Sequence, residues 1–139
     1  MPIITTAMQS AVGTSGDAQA HTVERGAIVR FADAIGDAKA AYPAVAPPTF
    51  LRSLGRAVPA LPDEGSVPRA LDGGSAWSYG PAVVPGDTIT VQTTLESVKE
   101  REGRMGAMLI ADYATTYINQ RGDLVATQTN TVIRMAATS

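Results

Sequence analysis

The chain has 139 residues, a length that fits one domain, and its 45% hydrophobic and 17% charged residues supply an ordinary packed core. Eleven basic against thirteen acidic residues leave a formal charge of −2, which offers nucleic acid no basic field. With no cysteine and a single histidine, His21, the composition excludes disulfides, thiolate nucleophiles, cysteine-ligated zinc, iron–sulfur clusters and any site needing two imidazoles from one chain.

The first segment, Met1 to Met8, has no basic residue before its apolar run, and that run is too short for a secretory signal. Nowhere do eighteen apolar residues stand together. A cytoplasmic location with no membrane partner is the expectation. Residues 9–20 are small and polar, so residues 1–20 are read as a flexible tail and 21–139 as one domain.

Thr22 offers an N-cap and Glu24 an acidic first turn for a helix over about residues 23–35. Val23, Ala27, Phe31 and Ile35 recur every four residues, with Ile28 and Ala34 widening the stripe, and Gly36 stands at the closing position. His21 reads as a solvated residue ahead of that helix. An alanine- and proline-rich stretch follows to Pro48, which can occupy the first turn of a short helix through Leu54. Residues 57–70 hold three further prolines and read as an irregular surface loop.

Beyond Pro85 the chain has no proline, which is where a sheet can be built. Ile89, Val91, Thr93 and Leu95 alternate with Thr88, Thr90, Gln92 and Thr94, the period of a half-buried antiparallel strand. Lys99 to Arg104 reads as a charged turn, Ala107 to Ile118 as a strand with Tyr113 and Tyr117 on one face, Asn119 to Asp123 as a second turn, and Leu124 to Met135 as a third strand. This order gives an α+β plan in which a helix lies on one face of an antiparallel meander.

Three segments together carry a resemblance. Val23 to Ile28 with Phe31-Ala32 and Ala34 to Asp37 resembles the opening helix of MaoC-like dehydratases, and more narrowly of the fatty-acid-synthase-type N-terminal dehydratase domain. Ala46-Pro47-Pro48-Thr49-Phe50 resembles that family's approach to its central helix. Leu71 to Tyr79, with Pro81 and Pro85-Gly86-Asp87-Thr88-Ile89, is similar to its first long strand and the turn before the second. The resemblance implies a hot-dog fold, a curved antiparallel sheet wrapped around a helix. It also implies reversible hydration of a 2-enoyl thioester carried on coenzyme A or acyl carrier protein. That chemistry takes an α-proton with a base, protonates a leaving hydroxyl with an acid, and needs N–H donors aimed at the thioester oxygen.

In the family an Asp and a His act from a Gly-Asp-x-Asn-Pro-x-His pattern. Gly36 and Asp37 match it, but Lys39 stands at the Asn position, Ala40 at the Pro and Tyr42 at the His. Pro48 stands where a glycine N–H donor is expected, and proline has none to give. The resemblance therefore implies a subunit of a (3R)-hydroxyacyl-thioester dehydratase or enoyl-thioester hydratase that lacks the family's catalytic His. Such a subunit would pair with a catalytic MaoC-like subunit and be inactive alone. Asp37 and Tyr42 are the candidate catalytic residues, and Pro48, Thr49, Phe50 and Trp77 the candidate substrate-binding residues, with no metal and no cofactor. Asp37 also reads as a solvated residue of the helix C-terminal turn, Tyr42 as packing before a proline, and Trp77 as a strand residue covering a core edge. Two alternatives stand beside this reading: an active homodimeric hydratase or thioesterase using Asp37 and Tyr42, and a non-enzymatic hot-dog that binds acyl thioesters.

Overall fold

The computed structural model describes residues 3–36 and 44–137. Its elements are helix α1 (Thr6–Ser10), strand β1 (Gln19–Thr22), helix α2 (Arg25–Ala34), two 3-10 helices (Pro48–Ser53 and Glu64–Ser66), then strands β2 (Arg69–Tyr79), β3 (Thr88–Gly103), β4 (Gly106–Ile118) and β5 (Leu124–Met135). The strands form one antiparallel sheet in the order β1-β3-β4-β5-β2. No helix among the described residues is long and apolar enough to cross a membrane.

The meander of β3, β4 and β5 follows from period-two patterning. Ile89, Val91, Thr93 and Leu95 are buried, as their alternation predicts, and so are Tyr113 and Tyr117 opposite them. One boundary differs from expectation: the charged run at Lys99 stays in the ladder, with Lys99 opposite Ile110 and Gly103 opposite Gly106. The chain reverses only at Arg104-Met105, where Gly106 takes a φ of +104°. The charged side chains remain exposed there, so pairing the backbone costs them no hydration.

In β2 the Asp72-Gly73-Gly74-Ser75 sequence is a bulge against β5. Gly74 has a φ of +112° and its N–H donates to Asp72 Oδ1 at 2.9 Å. The Gly-Gly pair therefore reads as backbone geometry.

Two apolar clusters fill the inner face. One joins Val23, Ile28, Phe50, Leu51, Ile89, Val91, Tyr117 and Val125; the other joins Met8, Leu61, Val67, Leu95, Leu109, Ala111 and Tyr113. Helix α2 enters the first cluster through Ile28, with Ala27 and Phe31 partly buried against it; Ala32 is buried as well, whereas Ile35 is 48% exposed. The stripe thus follows the one predicted up to Phe31 and departs from it at the end of the helix, where Ala32 is buried and Ile35 is not. Thr22 is also not the cap: it pairs with Thr88, Val23 N–H donates to the Asp87 carbonyl at 2.7 Å, and the helix starts two residues later with Glu24 at the N-cap. Gly36 closes the helix with a φ of +71°, as expected.

Residues 3–20, expected as a tail, form α1 and the first half of β1. Thr5 caps α1 by accepting from Met8 N–H at 3.1 Å, and Met8 is fully buried. Gly13 N–H donates to the Leu95 carbonyl and Gly16 N–H to the Thr93 carbonyl. The segment is polar because it covers an edge and half a cluster, with Met8 as its main anchor. The layer over the sheet is accordingly built from α1, α2 and the 3-10 helix Pro48–Ser53. A curved antiparallel sheet closed around short helices in this way is a hot-dog fold.

Candidate functional site

The candidate catalytic residues Asp37 and Tyr42 lie outside the described residues. The four candidate substrate-binding residues divide. Pro48 takes the first position of its 3-10 helix and lines an apolar cavity of about 370 Å³ with Val45, Ala46, Leu51, Tyr79 and Val83. Thr49 is exposed beside it. Phe50 is buried and meets Phe31 edge to face at 5.6 Å, so it is a core residue. Trp77 stacks on Tyr79 at 5.6 Å with an interplanar angle of 4°, and tilts against Tyr117 at 5.5 Å. Pro48 and Trp77 are therefore joined through Tyr79, and Phe50 lies behind them in the core.

His21 sits in β1, and its Nε2 is 2.7 Å from the Gly55 carbonyl oxygen. It lines a different cleft, with Glu24, Ala27, Phe31 and Phe50. The one imidazole of the chain thus ties a sheet edge to the loop after the 3-10 helix.

A polar row crosses the inner face between the two apolar clusters. Ladder register places Trp77 opposite Gln128, Gln128 opposite Thr115, and Thr115 opposite Thr93. Thr93 and Thr115 share a hydrogen bond of 2.7 Å with both side chains buried. Arg56 Nη1 donates to Gln128 Oε1 at 2.9 Å and to Thr115 Oγ1 at 3.3 Å. Partial burial, followed by the nearby charge of Arg52, pulls the Arg56 pKa below the usual arginine value. Sequence reasoning missed Arg56, Gln128 and Tyr79 as neighbours of the site. Gln128 carried a signal, since a polar residue on the inward-facing parity of β5 needs a partner; Arg56 in a proline-rich loop carried none.

The threonine pair gives a direct test of this row. Thr115→Val alone leaves Thr93 Oγ1 and Arg56 short of an acceptor and is expected to cost about 1–2 kcal/mol. The double change Thr93→Val with Thr115→Val should cost less than the sum of the two singles, because neither partner is then orphaned. Urea unfolding of the two singles and the double measures the difference.

The inner tyrosines predict an alkaline limit. Burial raises the pKa of Tyr117 and of Tyr113, against smaller lowering effects from Arg56 and Arg134 respectively. The folded state thus keeps its phenol protons where the unfolded chain, with pKa near 10, has lost them. Their contribution is complete below about pH 10 and is lost as the pH rises through the raised values. Stability followed by chemical unfolding should be flat from neutrality to about pH 9.5 and fall above about pH 10.

A family model, the FAS1-like dehydratase domain region, matches residues 10–128. The chain belongs to this family. The FAS1-like dehydratase match spans α2, the Pro48 segment, the Gly-Gly bulge, the Asp87 turn, β4 and the start of β5, so it covers all three segments that carried the sequence resemblance. A UPF0336 protein of Streptomyces griseus is 33% identical, with 93% of this chain and 95% of that protein covered, and a UPF0336 protein of Streptomyces coelicolor is 32% identical over the same shares. Among solved structures, the chain is similar to the ChsH1–ChsH2 complex from Mycobacterium tuberculosis, with TM-score 0.76, 16% identity, and 95% of this chain and 89% of that one covered. It is also similar to the MaoC-like dehydratase from Rhodospirillum rubrum, with TM-score 0.66, 21% identity, and 93% and 95% covered. The HadBC (3R-hydroxyacyl-ACP dehydratase) complex from Mycobacterium tuberculosis is similar at TM-score 0.66 and 21% identity, with 88% and 96% covered. The hot-dog fold is common to all of them.

Proposed function

We propose that this FAS1-like dehydratase chain is the non-catalytic subunit of a (3R)-hydroxyacyl-thioester dehydratase or enoyl-thioester hydratase. Its acyl thioester is held at the Pro48 cavity, and a second hot-dog subunit supplies the acid and base. The observation that supports this is the place of the one histidine. Tyr42 stands at the family's histidine position, and the one histidine bonds the Gly55 carbonyl in another cleft. Pro48, with no N–H, removes a donor at the thioester oxygen as well.

Pairing is supported by the outer edge of the sheet. Strand β2 is exposed along nearly its whole length, with Leu71 and Tyr79 uncovered, and its far edge pairs with no other described strand. An edge of this length is a ready template for another chain. The two heteromeric relatives in fold, ChsH1–ChsH2 and HadBC, support a partner that is another hot-dog.

The decisive assay is loss of the enoyl chromophore of crotonyl-coenzyme A. The purified chain alone should give no hydration above background, and co-purification with a subunit carrying the intact Gly-Asp-x-Asn-Pro-x-His pattern should restore it. Robust turnover by the lone chain, abolished by Asp37→Asn, would establish the active homodimer instead; there Tyr42→Phe would also abolish turnover without unfolding the chain. Acyl-thioester binding with no turnover even alongside that partner would establish a binding protein.

A further inference from the structure

The far end of the sheet carries a charge pattern that neither the core nor the candidate site uses. Lys99-Glu100-Arg101-Glu102 lies within the β3–β4 ladder, so period two turns its cations to one face and its acids to the other. Contacts decide which face is which. A Cβ on Gly103 would meet the Met108 side chain, and one on Gly73 would meet those of Thr131 and Ile133. Gly103 shares the parity of Lys99 and Arg101, and Gly73 that of Leu71 and Arg69. The alternate residues of β4, Leu109, Ala111 and Tyr113, fill the inner cluster. Arg69, Leu71, Lys99 and Arg101 therefore stand on the outer, convex face, with Glu100 and Glu102 on the opposite side.

Register assembles that face into two rows about 7 Å apart. Lys99, Ile110, Ile133 and Leu71 cross the four strands in one row, and Arg101, Met108, Met135 and Arg69 in the next. Apolar side chains fill the middle, cations hold three of the four row ends, and Leu71, 53% exposed, takes the fourth. Arg104 and Met105 form the hairpin tip beside the second row, and Met105 is 67% exposed. None of Arg69, Lys99, Arg101 and Arg104 forms an ion pair among the described residues. The nearest acids on this face are Asp112 and, in the bulge beside it, Glu96; Asp112 accepts from the Ser97 hydroxyl at 3.1 Å and the Thr131 hydroxyl at 2.6 Å.

We infer that this face rests on an anionic lipid surface, with Arg69, Lys99 and Arg101 at the headgroups and Met105 entering between them. Unpaired cations around apolar side chains are complementary to phosphate headgroups lying over acyl chains. The whole chain has a formal charge of −2, so only a face whose acids are turned away can approach such a surface. The period-two separation of Lys99 and Arg101 from Glu100 and Glu102 supplies that face and also orients the molecule on it. Convexity favours a yielding bilayer over the helix of a partner protein, which docks in a groove. A surface contact of this kind needs no spanning segment, and it is independent of the acyl-thioester reading.

The test is co-sedimentation of the full chain with vesicles of mixed phosphatidylglycerol and phosphatidylcholine, against vesicles of phosphatidylcholine alone. At low salt, partitioning onto the anionic vesicles should be about tenfold stronger or more, and high salt should remove most of the difference. Lys99→Gln with Arg101→Gln should abolish most of that preference, at roughly fivefold per cation, whereas Arg101→Lys should retain it. Met105→Asp should lower the partitioning severalfold. Arg25→Gln with Arg30→Gln removes the same charge from exposed positions on α2 and should change it less than about twofold. All the substituted side chains are exposed, and urea midpoints verify that each variant is folded. Equal partitioning onto the two kinds of vesicle at low salt overturns the inference, and so does a loss as large in the α2 variant as in the β3 variant. With vesicles unbound, retention on immobilised acyl carrier protein that the β3 changes abolish would make the face a dock for an acidic protein instead.

Discussion

Replacing Asp87 with alanine is expected to cost about 2–4 kcal/mol, because it strips several partners of a buried carboxylate at once. Asp87 is 2% exposed. Its Oδ2 accepts from Val84 N–H at 3.0 Å, its Oδ1 accepts from Gln120 Nε2 at 2.9 Å, and Arg121 Nη1 stands 3.8 Å away. Its own carbonyl accepts from Val23 N–H, while Gly86 N–H donates to the Val23 carbonyl. One residue thus joins the turn before β3, the turn before β5 and the junction of β1 with α2. At roughly 3–5 °C per kcal/mol for a chain of this size, the midpoint of thermal unfolding should fall by about 10 °C. Asp87→Asn keeps the shape and part of the bonding and should lose less. A loss below about 1 kcal/mol on Asp87→Ala would show that the turn is held by its backbone alone.

Met8→Ala is expected to destabilise by about 2–5 kcal/mol, the usual range for truncating a fully buried Met, Leu or Ile. Met8 has no exposure and packs in the cluster of Leu61, Val67, Leu95, Leu109 and Tyr113. The result distinguishes a segment that is part of the fold from a tail, since a tail residue would change stability by less than about 0.5 kcal/mol. Gly16→Ala probes the same segment independently. A Cβ at Gly16 would overlap the backbone carbonyl of Ala57, so the segment or the loop beside it must move. Urea midpoints for the two variants check both expectations, with Val12→Ala as a control at a half-exposed position.

Much of the sheet is legible in the sequence, for a reason confined to the chain itself. Alternation with period two decides which face of a strand is buried, and Ile89 to Leu95, Tyr113 and Tyr117 obey it. Glycines at Gly36, Gly106 and Gly122 mark reversals because those positions have positive φ. Helix α2 is legible too: Val23, Ala27, Ile28 and Phe31 of the apolar stripe face the core, while Ala32 is buried in addition and Ile35 is left exposed. Of the candidate substrate-binding residues, Pro48 lines the apolar cavity, Trp77 stacks on Tyr79 beside it, Thr49 is exposed and Phe50 lies in the core.

The sequence by itself determined the α+β order, the meander and the presence of a single imidazole, His21. These are properties of neighbouring residues, or of composition. The tertiary structure alone decided that a polar N-terminal segment is anchored by Met8, that the Pro-Gly-Asp-Thr turn is held from three sides, and that Arg56 lies across Gln128 and Thr115. Each of these depends on contacts between residues tens of positions apart. Such contacts are chosen by which surfaces must leave water together once the sheet has formed, and no local pattern encodes that choice.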